Sequence, residues 1–198
     1  MRILAFSDLH RDLDAARAVV ERSADADVVV GAGDLAVVHE GLEETVAALS
    51  AIEIPTVLVP GNNETDEALR GACEGWEAAV VLHGTGTEID GVPFFGLGAG
   101  VPVTPWEWSF DLDERAAGRM LAGCPEGAVL ISHSPPKGHV DRSSDGTSLG
   151  STAVLEAIES RAPRLVLCGH IHESWGERST LGESLIVNLG PGGAALDA

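Results

Sequence analysis

The sequence predicts an α/β fold in which two β-sheets pack face to face with helices outside. Three observations carry this. Short β-branched runs alternate with helical patterns over residues 2–73, the same alternation returns over residues 112–170, and a turn-rich stretch divides the two halves. Alternation of this kind implies parallel strands joined by right-handed helical crossovers. With 198 residues, 44% of them hydrophobic, the chain can bury a sizeable core and is expected to form a single domain over residues 1–198.

The elements follow in order. "RILAFS" (2–7) reads as a strand. "DLDAARAVVERS" (12–23) reads as a helix, with Leu13, Ala16, Val19 and Val20 on one face and Asp12 as N-cap. "DVVVGAG" (27–33) is a buried strand, "GLEETVAALSAI" (41–52) a helix, "PTVLVPG" (55–61) a strand, and "TDEALRGAC" (65–73) a short helix capped by Thr65 or Asp66. Three short runs, 79–84, 86–90 and 92–98, are separated by glycine turns and read as an antiparallel meander. A loop with two prolines and two tryptophans (101–112) leads to a helix at 112–122. A strand (127–133), a long loop (134–150), a helix capped by Ser151 (151–161) and a strand (164–170) follow. "ESWGERS" and "ESLIVNLG" close the chain as a hairpin.

Composition excludes several classes. No apolar run approaches the roughly 18–20 residues of a membrane span, and "MRILAFSDLH" enters a strand without signal-peptide features. Cys73, Cys124 and Cys168 are odd in number and widely spaced, which fits buried thiols in a reducing cytoplasm. The net charge of −19, with Lys137 as the single lysine, repels nucleic acid and anionic lipid. Such a surface suits a high-salt cytoplasm or reflects a high-GC genome.

The chemistry gathers at the carboxyl ends of the strands, where open α/β sheets bind ligands. Asp8 and His10 follow the first strand, Asp34 the second, Asn62 the third, His133 the fourth of this set, and His170 and His172 the fifth. The spacing of two within Asp8/His10 and His170/His172 aims both members of each pair to one side if the backbone is extended. Two carboxylates, four imidazoles and one amide exceed one tetrahedral zinc and match two metals sharing a carboxylate. Nitrogen and oxygen donors without thiolate suit Mn²⁺, Fe or Zn²⁺. We expect two divalent ions, Mn²⁺ first, with Fe, Zn²⁺ or Ni²⁺ as alternates. Two ions bring about +4, the carboxylates about −2 and a bridging hydroxide about −1, so the crevice stays positive and fits a phosphoryl centre.

These blocks, "DLH" (8–10), "GD" (33–34), "GNNE" (61–64), "SH" (132–133) and "GHIH" (169–172), resemble the calcineurin-like metallophosphoesterase family, in its order and over almost the whole chain. The segments "HSPPKGHVD" and "CGHIHE" look like a small bacterial and archaeal single-domain branch. The resemblance implies a four-layer αββα sandwich. It also implies that Asp8, His10, Asp34 and His172 hold one metal, and Asp34, Asn62, His133 and His170 the other, with Asp34 bridging. Many members carry a histidine where this chain has Asn63. An amide cannot act as a general acid, although it can donate to a phosphoryl oxygen.

Asn63 and His139 therefore join Asp34 as expected catalytic residues, Asn63 as phosphoryl donor and His139 as phosphate contact or substitute proton donor. Asn63 reads equally as a turn residue in left-handed geometry. Lys137 and Arg142 are the cations nearest in sequence for a phosphate. Trp106 and Trp108 read as a wall for stacking a base, a hydrophobic lid or a dimer contact.

The expected activity is phosphoester hydrolysis by a metal-bridging hydroxide, favouring phosphodiesters or good leaving groups. The alternatives are a phosphomonoesterase or nucleotidase of the same fold, and a protein-binding scaffold. The expected partner is a small phosphoester, a nucleotide among the candidates, with a homodimer allowed by the tryptophans.

Overall fold

A computed structural model describes residues 1–198. The first half is built as β1 (Arg2–Phe6), α1 (Leu13–Ser23), β2 (Val28–Gly31), α2 (Leu42–Leu49), β3 (Thr56–Leu58), α3 (Asp66–Ala72) and β4 (Ala79–Val81). The second half runs β5 (Thr85–Ile89), β6 (Val92–Leu97), α4 (Glu114–Leu121), β7 (Val129–Ser132), α5 (Thr152–Arg161), β8 (Leu165–Cys168), β9 (Arg178–Leu181), β10 (Ser184–Asn188) and β11 (Ala194–Asp197).

Helix starts follow local chemistry. Asp12 accepts from the amides of Asp14 and Ala15, Thr65 from Ala68, and Ser151 from Val154. Each such cap is worth about 1 kcal/mol. The carboxylate of Glu114 adds a second cap to α5, accepting from the Ser151 hydroxyl and the amides of Thr152 and Ala153.

Two mixed sheets result, ordered β11-β1-β2-β3-β4 and β5-β6-β7-β8-β10-β9. In the first, β1 to β4 run parallel and β11 antiparallel beside β1. In the second, β6, β7, β8 and β10 run parallel between antiparallel edges β5 and β9. Alternating side chains build the layers. Ile3, Val28, Val30 and Val57 meet Phe94, Ile131 and Leu167 between the sheets. Leu4, Phe6 and Val29 turn outward to α1 and α2, while Leu130 and Val166 turn outward to α4 and α5. The layers are therefore α, β, β, α.

Three expectations need correction. The run 79–98 is not one meander: β4 continues the first sheet, parallel to β3, and only β5 and β6 form an antiparallel hairpin. The α3 crossover gives β4 the connection a parallel strand requires, and the chain changes sheet at Gly84, whose φ is 66°. The closing hairpin has residues 178–181, not 173–179, as its first arm, because His172–Ser174 wind into a 3₁₀ turn. Strand β11, in a stretch of alanines without periodicity, was not expected; its backbone covers the edge of β1. All three cysteines are free, Cys124 and Cys168 buried and Cys73 partly so. No helix is long and apolar enough to cross a membrane.

Candidate metal centre

The sequence-predicted ligands converge where strands of both sheets end. Ligand atoms of Asp8, His10 and His172 lie within 4.8 Å of one another, and so do those of Asp34, His133 and His170. Asp34 faces both groups. One carboxylate oxygen is 3.6 Å from His10 Nε2 and the other 3.4 Å from His133 Nε2. Asn62 Oδ1 lies 3.2 Å from His133 Nε2 and 3.1 Å from His170 Nδ1.

The local geometry that aims these residues is not the extended one expected. Strands β1 and β8 stop at Phe6 and Cys168, and the ligands sit in tight turns beyond them. Asp8, His10, Asp34 and His170 have φ of 54°, 46°, 58° and 66°, the left-handed region. Side chains rarely adopt it without compensation from their surroundings. Here the compensation is backbone bonding between turns: the Asp8 amide donates to Gly33 O, and the His10 amide to Asp34 O. Glycines let these turns crowd together. A Cβ on Gly61 would sit 2.0 Å from Asp34 Oδ1, and one on Gly169 2.3 Å from Asp8 Oδ2.

Surrounding side chains fix each ligand. Asp8 accepts from the Ser7 hydroxyl, the Trp175 indole and the His170 amide. Trp175 also lies against His172, with ring centroids 4.2 Å apart. Ser109 donates to Asp111 and so accepts from Asn62 Nδ2, which turns Asn62 Oδ1 into the cluster. His133 Nδ1 donates to Ala32 O, and His10 Nδ1 to Ala36 O, leaving a lone pair on each Nε2. Glu64, fully buried, accepts from the amides of Gly61, Leu35 and Ala36 and ties the second and third turns together.

Ser7, Ser109, Asp111 and Trp175 escape sequence reasoning, because nothing in their spacing marks them. The Glu of "GNNE" reads as either a ligand-orienting or a helix-favouring residue. The structure instead makes it a backbone clamp.

The donor set fits divalent cations. Asn62 Oδ1 faces the lone pair of His133 at 3.2 Å, acceptor against acceptor, and His10 Nε2 turns its lone pair to the His172 ring, 3.1 Å from its Nε2. Such contacts are unfavourable unless a cation or proton lies between them. The electrostatics agree. Burial and the Asp8 charge raise Asp34 to about 7, and burial and the Asp34 charge raise Glu64 to about 7. Burial also acts to raise Asp8, but hydrogen bonding and nearby histidines hold it at about 2. Burial, then the charge of His133, lowers His170 to about 3, so its ring is neutral and ready to ligate.

The structure places the other two expected catalytic residues differently from each other. Asn63 is buried, and its φ is not positive. Its Nδ2 donates to Asp34 Oδ2 at 2.8 Å, its Oδ1 accepts from the Val38 amide at 2.9 Å, and its own amide donates to Asp34 Oδ1. It grips Asp34 through one Nδ2 hydrogen and also lines the crevice. His139 pairs through Nδ1 with Ser179 on β9 at 2.8 Å and does not line the crevice. Lys137 and Arg142 donate to carbonyls of their own loop, Ser148 O and Gly146 O. Trp106 and Trp108 do line the crevice, stacked on each other with centroids 5.6 Å apart.

Relatives share the fold. A family model described as the calcineurin-like phosphoesterase superfamily domain matches residues 1–198. Two UPF0046 proteins of Caenorhabditis elegans are similar to the chain. One is 31% identical over 109 residues, covering 50% of this chain but 25% of the relative; the other is 26% identical over 210 residues, covering 95% and 69%. Among solved structures, TT1561 of Thermus thermophilus superposes with a TM-score of 0.77 at 22% identity, covering 96% of this chain and 90% of that one. A dimetal phosphatase from Danio rerio superposes at 0.62 and 15%, covering 96% and 88%. These two share the fold. The full-length family match, with both ligand groups assembled as described, places the chain in the calcineurin-like phosphoesterase superfamily.

Proposed function

We propose that residues 1–198 form one catalytic domain that hydrolyses phosphoesters with two divalent ions, Mn²⁺ first among them. Phosphodiesters and esters with good leaving groups are its better substrates. The observation that carries this reading is Asp34, with one carboxylate oxygen toward each ligand group. Asp8, His10, Asp34 and His172 would hold one ion and Asp34, Asn62, His133 and His170 the other. When bound, the ions supply Lewis acidity and a nucleophile ionised from water near neutral pH.

The chain's own residues do the rest. Asn62 provides a neutral oxygen, so the centre keeps a positive charge for the phosphoryl group. Asn63 and Glu64 hold the Asp34 turn, and Ser7 and Trp175 hold Asp8. No histidine outside the assigned ligands lines the crevice to protonate a leaving group. The ionisable residues lining the crevice are His10, Asp34, His170 and His172, all assigned as ligands, and Glu173 at the exposed rim. A leaving group must therefore depart as an anion or take its proton from water, which favours esters with good leaving groups, such as aryl esters, over alkyl esters.

The test compares bis-p-nitrophenyl phosphate with p-nitrophenyl phosphate under Mn²⁺. Higher kcat/KM on the diester is expected, and a clear monoester preference would refute the diester reading. Because both release p-nitrophenolate, the leaving-group argument is tested with an alkyl phosphate, and turnover of that ester as fast as p-nitrophenyl phosphate would refute it.

A further inference from the structure

The molecule exposes six large hydrophobic side chains: Val37, Val38, Val103, Trp106, Leu149 and Trp175. On a chain carrying net charge −19 their positions are informative. Five of them line the crevice of about 740 Å³ that contains His10, Asn62 and His172, and the sixth, Trp175, lies against His172. They come from three separate loops, at 37–38, 103–106 and 149, which converge on one place. Val103 is 61% exposed and Trp106 50%, so each has surface to offer a ligand. No arginine or lysine lines the crevice, and Lys137 and Arg142 are engaged by carbonyls of their own loop.

We infer that the substrate carries an uncharged, apolar organic group on its phosphoester, seated against Val103, Trp106 and Leu149, and no second phosphate. This rests on the phosphoesterase reading and adds the substrate class. A second phosphate would find no cation beyond the metal centre, and the surrounding acidic surface would repel it. An apolar group gains by covering valine, leucine and tryptophan side chains now in water. Trp106 and Trp108 already stack at an interplanar angle of 11°, so a planar group meets only the outer face of Trp106. The collar is concave and continuous with the ligand groups, which suits a substrate substituent. A second copy would bring another net charge of −19 to the same surface.

The test uses Mn²⁺-loaded full-length protein and two non-hydrolysable probes, methylphosphonate and phenylphosphonate, titrated by calorimetry. Phenylphosphonate should bind about tenfold tighter, the effect of burying roughly half an aromatic ring. In the double variant Val103→Ser/Trp106→Ala the preference should fall to about twofold. Turnover of methyl and phenyl p-nitrophenyl phosphate, which share a leaving group, should show the same preference in kcat/KM. Equal binding of the two phosphonates, with both esters hydrolysed, would overturn the apolar subsite and leave the hydrolase reading standing. A phenyl preference in binding with neither ester hydrolysed would keep the subsite and remove the hydrolase reading. A solution dimer that Trp106→Glu dissociates would also overturn the inference, because a second copy would then cover the collar.

Discussion

Replacing Asn63 by alanine separates a residue that grips Asp34 from one that acts on the phosphoryl group. The substitution deletes the 2.8 Å bond from Nδ2 to Asp34 Oδ2 and the acceptor of the Val38 amide. A hydrogen bond to a buried carboxylate contributes about 1.5–3 kcal/mol. Val38 is exposed, so its amide can turn to water, and that loss adds about 0.5 kcal/mol or less. The metal-free variant should therefore lose about 2–3 kcal/mol in urea denaturation. Because the Asn63 backbone amide still holds Asp34 Oδ1, the fold should survive. A loosened Asp34 should weaken Mn²⁺ about 10–100-fold, the usual effect of removing a partner of a metal ligand. At saturating Mn²⁺, kcat should return to within about threefold of the parent. The opposite pattern would refute the positioning role. If kcat at saturating Mn²⁺ fell about 10²–10³-fold while Mn²⁺ affinity stayed unchanged, Asn63 would be donating to the transition state.

Further outcomes follow from the same geometry. Gly61→Ala puts a Cβ 2.0 Å from Asp34 Oδ1 and should destabilise the protein by about 1–3 kcal/mol; an unchanged urea midpoint would contradict the crowding. Trp175→Phe keeps the ring against His172 but deletes the bond to Asp8, so one of the two ions should bind about tenfold more weakly in calorimetry while the other is unchanged. Asp34 is raised to about 7 by burial and by Asp8, so below that pH the metal-free carboxyl holds a proton that an incoming ion must displace. Mn²⁺ affinity should fall by at least about tenfold per pH unit as pH drops below 7. Calorimetry in buffers of different ionisation enthalpy should read at least about one more proton released at pH 6 than at pH 8, from Asp34 and from His172, whose pKa the hydrogen bond to Asp8 raises.

Much of this was legible in the sequence because strand ends and ligand types coincide. Asp8, Asp34, Asn62, His133 and His170 all meet as their positions after successive strands imply, and Asp12, Thr65 and Ser151 cap the helices as read. What was not legible is long-range or conformational. The left-handed turns at Asp8 and Asp34 depend on amide–carbonyl bonds between segments about 25 residues apart, which no local pattern reports. Ser109 and Asp111 orient Asn62 from a loop 47 residues further on. Asn63 and His139 were assigned by type and proximity in sequence. Their partners, Asp34 with Val38 in one case and Ser179 in the other, come from tertiary packing. Strand β11 has no apolar alternation to announce it and forms because the edge of β1 is open to it.

The central claim, two ions sharing Asp34, is tested most directly by the metal content and electron paramagnetic resonance of the protein titrated with Mn²⁺. The account predicts two Mn²⁺ per chain with the spectrum of an exchange-coupled pair, and loss of that coupling in Asp34→Ala. One ion per chain, two uncoupled ions, or a coupled pair that survives in Asp34→Ala would contradict it.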